Sequence, residues 1–179
     1  MSGRPASQGR APRAIKVRQA GLRSAPPPRR TVDPSDPQRL DNQLCFAVYA
    51  AAHAFGRAYR ALLTEHDLTY PQYLVLLVLW EEDGLTVKEI GDRLFLDSGT
   101  LTPLLKRLEA AGRIRRARDR ADERQVSIFL TEAGRALHDR LACLPDRAGG
   151  MTGLATDGRR ALLDSLVELR EGLHAGVPS

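Results

Sequence analysis

The stretch TVKEIGDRLFLDSGTLTPLLKRLEAAGRIRRARDRADERQVSIFLT, residues 86–131, decides the fold. Thr86 followed by Glu89 is a reciprocal capping box: the hydroxyl accepts from the amide three residues on, and the carboxylate reaches back to the cap. It predicts a short helix over Val87 to about Leu94. Asp97 or Ser98 supplies the next cap, for a helix that runs to Gly112, where the left-handed conformation open to glycine ends it. The period then changes from that of a helix to that of a strand. Arg113 to Arg118 alternates weakly, and Arg124 to Leu130 places Val126, Ile128 and Leu130 on one side, with the polar DRADE turn between the two runs. Two short helices are thus followed directly by a hairpin.

Upstream, Thr69, Pro71 and Gln72 form a second start signal, for a helix from Tyr70 to about Glu82 that Gly84 breaks. Before it, Leu44, Val48, Ala51, Ala52, Phe55, Tyr59 and Leu62 or Leu63 recur in steps of three and four, the mark of one long amphipathic helix from Leu40 to about Glu65. Downstream, Thr131 opens a helix to about Leu144 that Pro145 is expected to stop, and after a Gly-rich link a last amphipathic helix runs from about Asp157 to Leu173. The expected architecture is mainly α with a small β-hairpin, a winged helix-turn-helix with N- and C-terminal dimerisation helices. Its boundaries are a tail over residues 1–36 and a domain over 37–175, with the DNA-reading part at about 69–131 and the dimerisation helices at about 40–65 and 132–174.

The chain has 179 residues, 27% charged and 42% hydrophobic, which suits one ordinary globular domain with an appendage. No run approaches the ~18 apolar residues of a membrane span, and Cys45 and Cys143 are too few for a disulfide-stapled scaffold. A reducing cytoplasm is the expected compartment. The net charge of +5 divides unevenly. Residues 1–30 hold eight Lys or Arg and no acid, so the remainder carries −3. The tail, rich in Gly, Ser, Pro and Arg, lacks a pattern that could bury a face and reads as disordered. A solvated extension or an upstream start codon, a nonspecific DNA-binding arm, and an organelle transit peptide all share its composition.

Within the body, positive charge gathers on the hairpin: Arg113 to Arg124 holds six Arg against Asp119, Asp122 and Glu123. An Arg-rich hairpin alone reads as solvated surface, but after two short helices it reads as a wing lying on the DNA backbone or minor groove. The N-terminal end of the recognition helix offers Asp97, Ser98, Gly99, Thr100 and Thr102 to base edges or phosphates, with Lys106 and Arg107 further along. Arg118, Arg120 and Arg124 are the expected wing contacts. Arg124 is assigned to the minor groove, where a narrow width concentrates negative potential, with Asp122 orienting it through an ion pair. The apolar stripes of the first and last helices have no partner within the reading domain, so a homodimer on a palindromic duplex is expected. His53, His66, His138 and His174 are scattered without ligand spacing, and no metal or cofactor is expected.

A cysteine on an apolar helical face reads first as a small buried hydrophobe. Cys45, however, has Tyr49 one turn away, and a phenol that donates to a thiolate lowers the thiol pKa. The segments LDNQLCFAVY, LTYPQYLVLLVLWE, DSGTLTPLLKRLEAAG and DERQVSIFLT resemble the organic-hydroperoxide-sensing branch of the MarR-type transcriptional repressors, from about Leu40 to the last helix. Tyr59 is 14 residues beyond Cys45, about 21 Å along a helix, out of reach within one chain. The resemblance implies that Tyr59 and Tyr70 of one protomer flank Cys45 of its mate. It also implies that an organic hydroperoxide is the inducer, oxidising Cys45 to a sulfenic acid and releasing the DNA.

Two departures accompany the resemblance. The region after Pro145 lacks the resolving cysteine of one branch, and Cys143 precedes that proline, so a low-molecular-weight thiol is the favoured resolving partner. Phe95 stands where relatives often carry Tyr. Leu44, Phe46, Phe55 and Trp80 are candidates for lining a peroxide pocket, while Tyr73 and Trp80 also read as plain core aromatics. Three alternatives remain: a MarR-type regulator of a small phenolic ligand with Cys45 inert, a thiol peroxidase, and a winged module serving as a protein scaffold. The reading adopted is a regulator and not an enzyme.

Overall fold

The computed structural model describes residues 36–118 and 126–176. Up to Gln43 the described chain is a unit of its own. It contains a 3-10 turn, Leu40–Asn42, in which the Asn42 side chain donates to the Asp36 carbonyl at 2.7 Å and the Gln43 side chain to that of Pro37.

From Leu44 onward the described elements are α1 (Leu44–Leu63), α2 (Tyr70–Glu81), β1 (Leu85–Thr86), α3 (Val87–Leu94), α4 (Ser98–Ala110), β2 (Ile114–Arg118), β3 (Val126–Leu130), α5 (Glu132–Leu141), α6 (Leu144–Met151) and α7 (Thr156–Gly176). The capping signals act where the residue types place them. Gln72 N donates to Thr69 Oγ1 at 3.4 Å while Thr69 N donates to Gln72 Oε1 at 2.9 Å. Glu89 N and Thr86 N make the same exchange at 3.2 and 2.7 Å. Thr131 Oγ1 accepts from Gly134 N at 3.0 Å to start α5. Each cap satisfies an amide that the first helical turn leaves without a partner.

Three features differ from expectation. The hairpin is the larger part of a three-stranded antiparallel sheet of order β1-β3-β2, with Leu85 opposite Ile128 and Ile114 opposite Leu130. A strand of two residues is too short to display a period, so β1 leaves no pattern in the sequence. Pro145 does not simply stop a helix: it lies in the first turn of α6, where its missing N–H costs nothing. Gly149 and Gly150, read as a link, are helical, so the segment 132–174 holds three helices.

The core is built by Leu76 and Leu79 of α2, Ile90 of α3, Leu101, Leu105 and Leu108 of α4, Ile114 and Ile128 of the sheet, and Leu137 and Leu141 of α5, all at most 2% exposed. Each such side chain contributes roughly 2 kcal/mol by leaving water. At the base of the wing the packing is close enough to dictate residue type. A Cβ on Gly134 would lie 2.0 Å from the Arg113 carbonyl oxygen, so only glycine lets α5 pass. The freed surface is used: the Trp80 indole donates to the Gly134 carbonyl at 3.0 Å. Asp83 completes the joint, accepting from Leu130 N at 2.8 Å and from the Arg135 guanidinium at 2.7 Å.

Candidate functional site

The reading end is exposed along its expected length: Asp97, Ser98, Gly99, Thr100, Lys106 and Arg107 all face solvent. Their side chains are not equally available. The Asp97 carboxylate caps α4, accepting from Thr100 N at 2.9 Å, and these bonds hold it below the usual carboxylate range. The Thr100 hydroxyl donates to the same carboxylate at 2.8 Å, and the Thr102 hydroxyl to the Ser98 carbonyl at 2.6 Å. Ser98, Lys106 and Arg107 are exposed, Ser98 beside the N-terminal amides of α4, which favour phosphate, and Lys106 and Arg107 in the second half of the helix.

On the wing, Arg116 pairs with Glu109 at 3.0 Å and so ties β2 to α4, while the Arg115 guanidinium lies over the Phe129 ring at 4.4 Å. Arg118 is the last residue of β2, opposite Val126. Arg120, Asp122 and Arg124, and with them the expected Asp122–Arg124 ion pair, lie outside the described residues.

Cys45 is the second residue of α1 and is exposed on the single chain. Tyr49, one turn on, is 61% exposed, with its ring against His53 at 4.3 Å and Phe46 at 6.5 Å. Tyr59 and Tyr70 come together from α1 and α2, their rings stacked at 4.4 Å, with Tyr73 5.7 Å from Tyr59. Burial, and then the neighbouring Tyr70 and Tyr73, push Tyr59 up to about 12, and burial raises Tyr70 and Tyr73 as well. All three phenols therefore stay protonated at neutral pH, the form that donates a hydrogen bond to an anion.

Tyr49 and Tyr70 border one groove of about 430 Å³, along with His53, Arg57 and Arg60. The last three were missed by sequence reasoning, although they follow Tyr49 at four, eight and eleven residues, a spacing that keeps them on one helical face. Trp80, in α2, does not line this groove: it packs on Tyr73 at 6.1 Å and His138 at 5.4 Å, and donates into α5. Phe55, by contrast, lines a cleft with Ala148 and Met151 of α6 and Leu162 of α7. Among the described residues no cluster of three metal-ligating side chains occurs, and no helix is long and apolar enough to cross a membrane.

This arrangement has relatives. Residues 57–141 match the family model of the transcriptional regulator SarA/Rot. The HTH-type transcriptional regulator TtmR of Methylorubrum extorquens is 74% identical over 144 residues, 80% of this chain and 74% of that protein. The organic hydroperoxide resistance transcriptional regulator of Bacillus subtilis is 45% identical over 78% of this chain and 95% of its own length. Among solved structures, reduced AbfR bound to DNA superimposes with a TM-score of 0.64 at 38% identity, covering 75% of this chain and 94% of that one. Fold and relatives together define a winged-helix transcriptional regulator. The chain belongs to the MarR/SarA type of that class, and its likeness extends to the organic hydroperoxide branch.

Proposed function

We propose that this regulator is a redox-sensing repressor, released from its operator when an organic hydroperoxide oxidises Cys45. The observation that carries the reading is the division of parts: an exposed thiol near the start of α1, and a half-buried pair of protonated phenols, Tyr59 near its other end and Tyr70 stacked on it from α2. A straight helix separates Cys45 from Tyr59 by about 21 Å, so the two meet only if a second chain lies antiparallel. A two-fold homodimer supplies that arrangement, and the exposed Leu44, Val48, Leu162, Leu163 and Leu166 give it an apolar face. The phenols then donate to the partner's thiolate and favour its charged form.

The chemistry follows from the thiolate. Its sulfur attacks one peroxide oxygen, the O–O bond breaks, the alcohol departs with a proton, and Cys45 becomes a sulfenic acid. A low-molecular-weight thiol condenses with it, giving a mixed disulfide and water. The charge the phenols were holding is gone, and the dimer relaxes to a shape whose two reading ends no longer match a palindromic operator. On the duplex, Ser98, Lys106 and Arg107 act from α4, with Arg118, Arg120 and Arg124 from the wing and Asp122 orienting Arg124. Asp97, Gly99, Thr100 and Thr102 shape the start of α4. The Bacillus relative's name and the reduced, DNA-bound state of AbfR support this reading.

The test is a gel shift on a duplex selected from a random library by the reduced protein, using wild type and Cys45→Ser, before and after cumene hydroperoxide. Wild type is expected to lose affinity on the order of a hundred-fold and Cys45→Ser less than about two-fold, since release needs a coupling of roughly 1–3 kcal/mol. Equal release of both proteins overturns the redox reading. It would favour instead a small phenolic ligand in the groove between Tyr49 and Tyr70, where Arg57 and Arg60 could meet an anionic substituent.

A further inference from the structure

Phe95 is the least expected residue of the reading head. It ends α3 in the left-handed conformation, φ 54°, which few residues other than glycine adopt. Its ring, 57% exposed, stands outside the core. The turn it occupies is tight: Leu96 N donates to the Gly91 carbonyl at 3.0 Å, and a Cβ on Gly91 would meet the Leu96 carbonyl oxygen at 2.7 Å. Glycine or asparagine would suit the backbone of such a turn better than a large aromatic, so the ring needs another reason.

The reason lies on α7. The Arg170 guanidinium sits over the Phe95 ring, 4.8 Å from its centroid, and the His174 ring is 5.4 Å away, tilted by 32°. Arg170 and His174 are four residues apart and so project from one face of α7. They straddle the turn between α3 and α4, two residues before the cap of the recognition helix. α7 buries none of its residues on its own chain, and this contact is its hold on the reading head. We propose that Phe95 is a positioning and specificity-determining residue: it is the hold by which α7 fixes where α4 stands, and thereby sets the operator half-site spacing that the dimer accepts. The spacing step rests on the homodimer reading above; the hold on α4 does not.

Two measurements on reduced protein test it. The first is a double-mutant cycle between Phe95→Gly and Arg170→Ala, read as affinity for the selected duplex at several salt concentrations. Glycine relieves the backbone, so Phe95→Gly is expected to keep or raise Tm while weakening binding about five-fold. Arg170→Ala is expected to weaken it by a similar factor with an unchanged salt slope, the double variant no further, and Phe95→Tyr is expected to restore wild-type affinity. Additive losses, or a salt slope that falls by about one for Arg170→Ala as loss of a direct phosphate contact would give, overturn the proposal. The second measurement inserts one base pair between the half-sites. Wild type is expected to lose on the order of thirty-fold and Phe95→Gly only about three-fold, because a loosened reading head follows the shifted site. Equal penalties overturn the spacing role. A wild type that sediments as a monomer and ignores spacing overturns the dimer reading, and the cycle alone then decides whether Phe95 holds α4.

Discussion

The reading head and the helices at the two ends of the domain are built on opposite terms. In α2 to α5 and the sheet, every element sends side chains into a shared core, Ile90 even from the short α3 and Leu101, Leu105 and Leu108 from α4, and Gly91 and Gly134 are forced by backbone approaching backbone. In α1 only Leu62 and Leu63 are buried, and α7, the longest helix described, buries nothing. Yet α1 and α7 carry the leucines, valine and phenylalanine of an ordinary amphipathic face. The reading head satisfies itself, whereas the outer helices leave most of their apolar faces exposed on the single chain, the surface that the proposed dimer would cover.

Four experiments would break or sharpen this contrast. Leu108→Ala removes a fully buried side chain of α4 and is expected to cost about 3 kcal/mol, lowering Tm by roughly 10 °C equally at every protein concentration. Gly134→Ala forces β2 and α5 apart and is expected to cost about 2 kcal/mol, again independent of concentration. Leu163→Glu, on an exposed position of α7, is expected to leave the folded chain intact but to shift sedimentation to monomer and make Tm insensitive to dilution, while wild-type Tm rises with concentration. Wild-type Tm that does not move with concentration would erase the contrast. The smallest effect concerns Tyr59. Its pKa, about 12 in the fold, lies above the ordinary 10, so the folded state holds the proton more tightly. The associated stability is complete below pH 10 and is lost as pH rises towards 12. Tyr59→Phe is expected to flatten the fall of Tm in that interval, checked by alkaline melts with absorbance at 295 nm reporting the phenolates.

How much was legible follows the same division. Capping boxes at Thr69 and Thr86 and the cap at Asp97 are local chemistry, decided by side chains within three residues of the amides they satisfy, and the helices they start begin where those residues stand. The two-residue β1 and the helix through Gly149 and Gly150 escaped notice for the converse reason. The first exists only by pairing with β3, and the second overrides the low helix propensity of its own residues. At the site, Cys45 and the tyrosines could be singled out by type and spacing. His53, Arg57 and Arg60 gain meaning only beside α2, and Trp80, a candidate pocket residue by composition, turned inward to α5.

The sequence alone determined the order of elements apart from β1 and α6, the starts of the capped helices, the positive wing and the residue types able to carry thiol chemistry, because each depends on neighbours a few residues apart. Tertiary structure decided what lies beyond that range. It stacked Tyr59 on Tyr70 and raised both phenols, made Asp83 and Gly134 the joint of the wing, and set Arg170 over Phe95 at the turn before the recognition helix. Such contacts join residues on different elements, from 11 to 75 positions apart, and no local rule of spacing or propensity contains them.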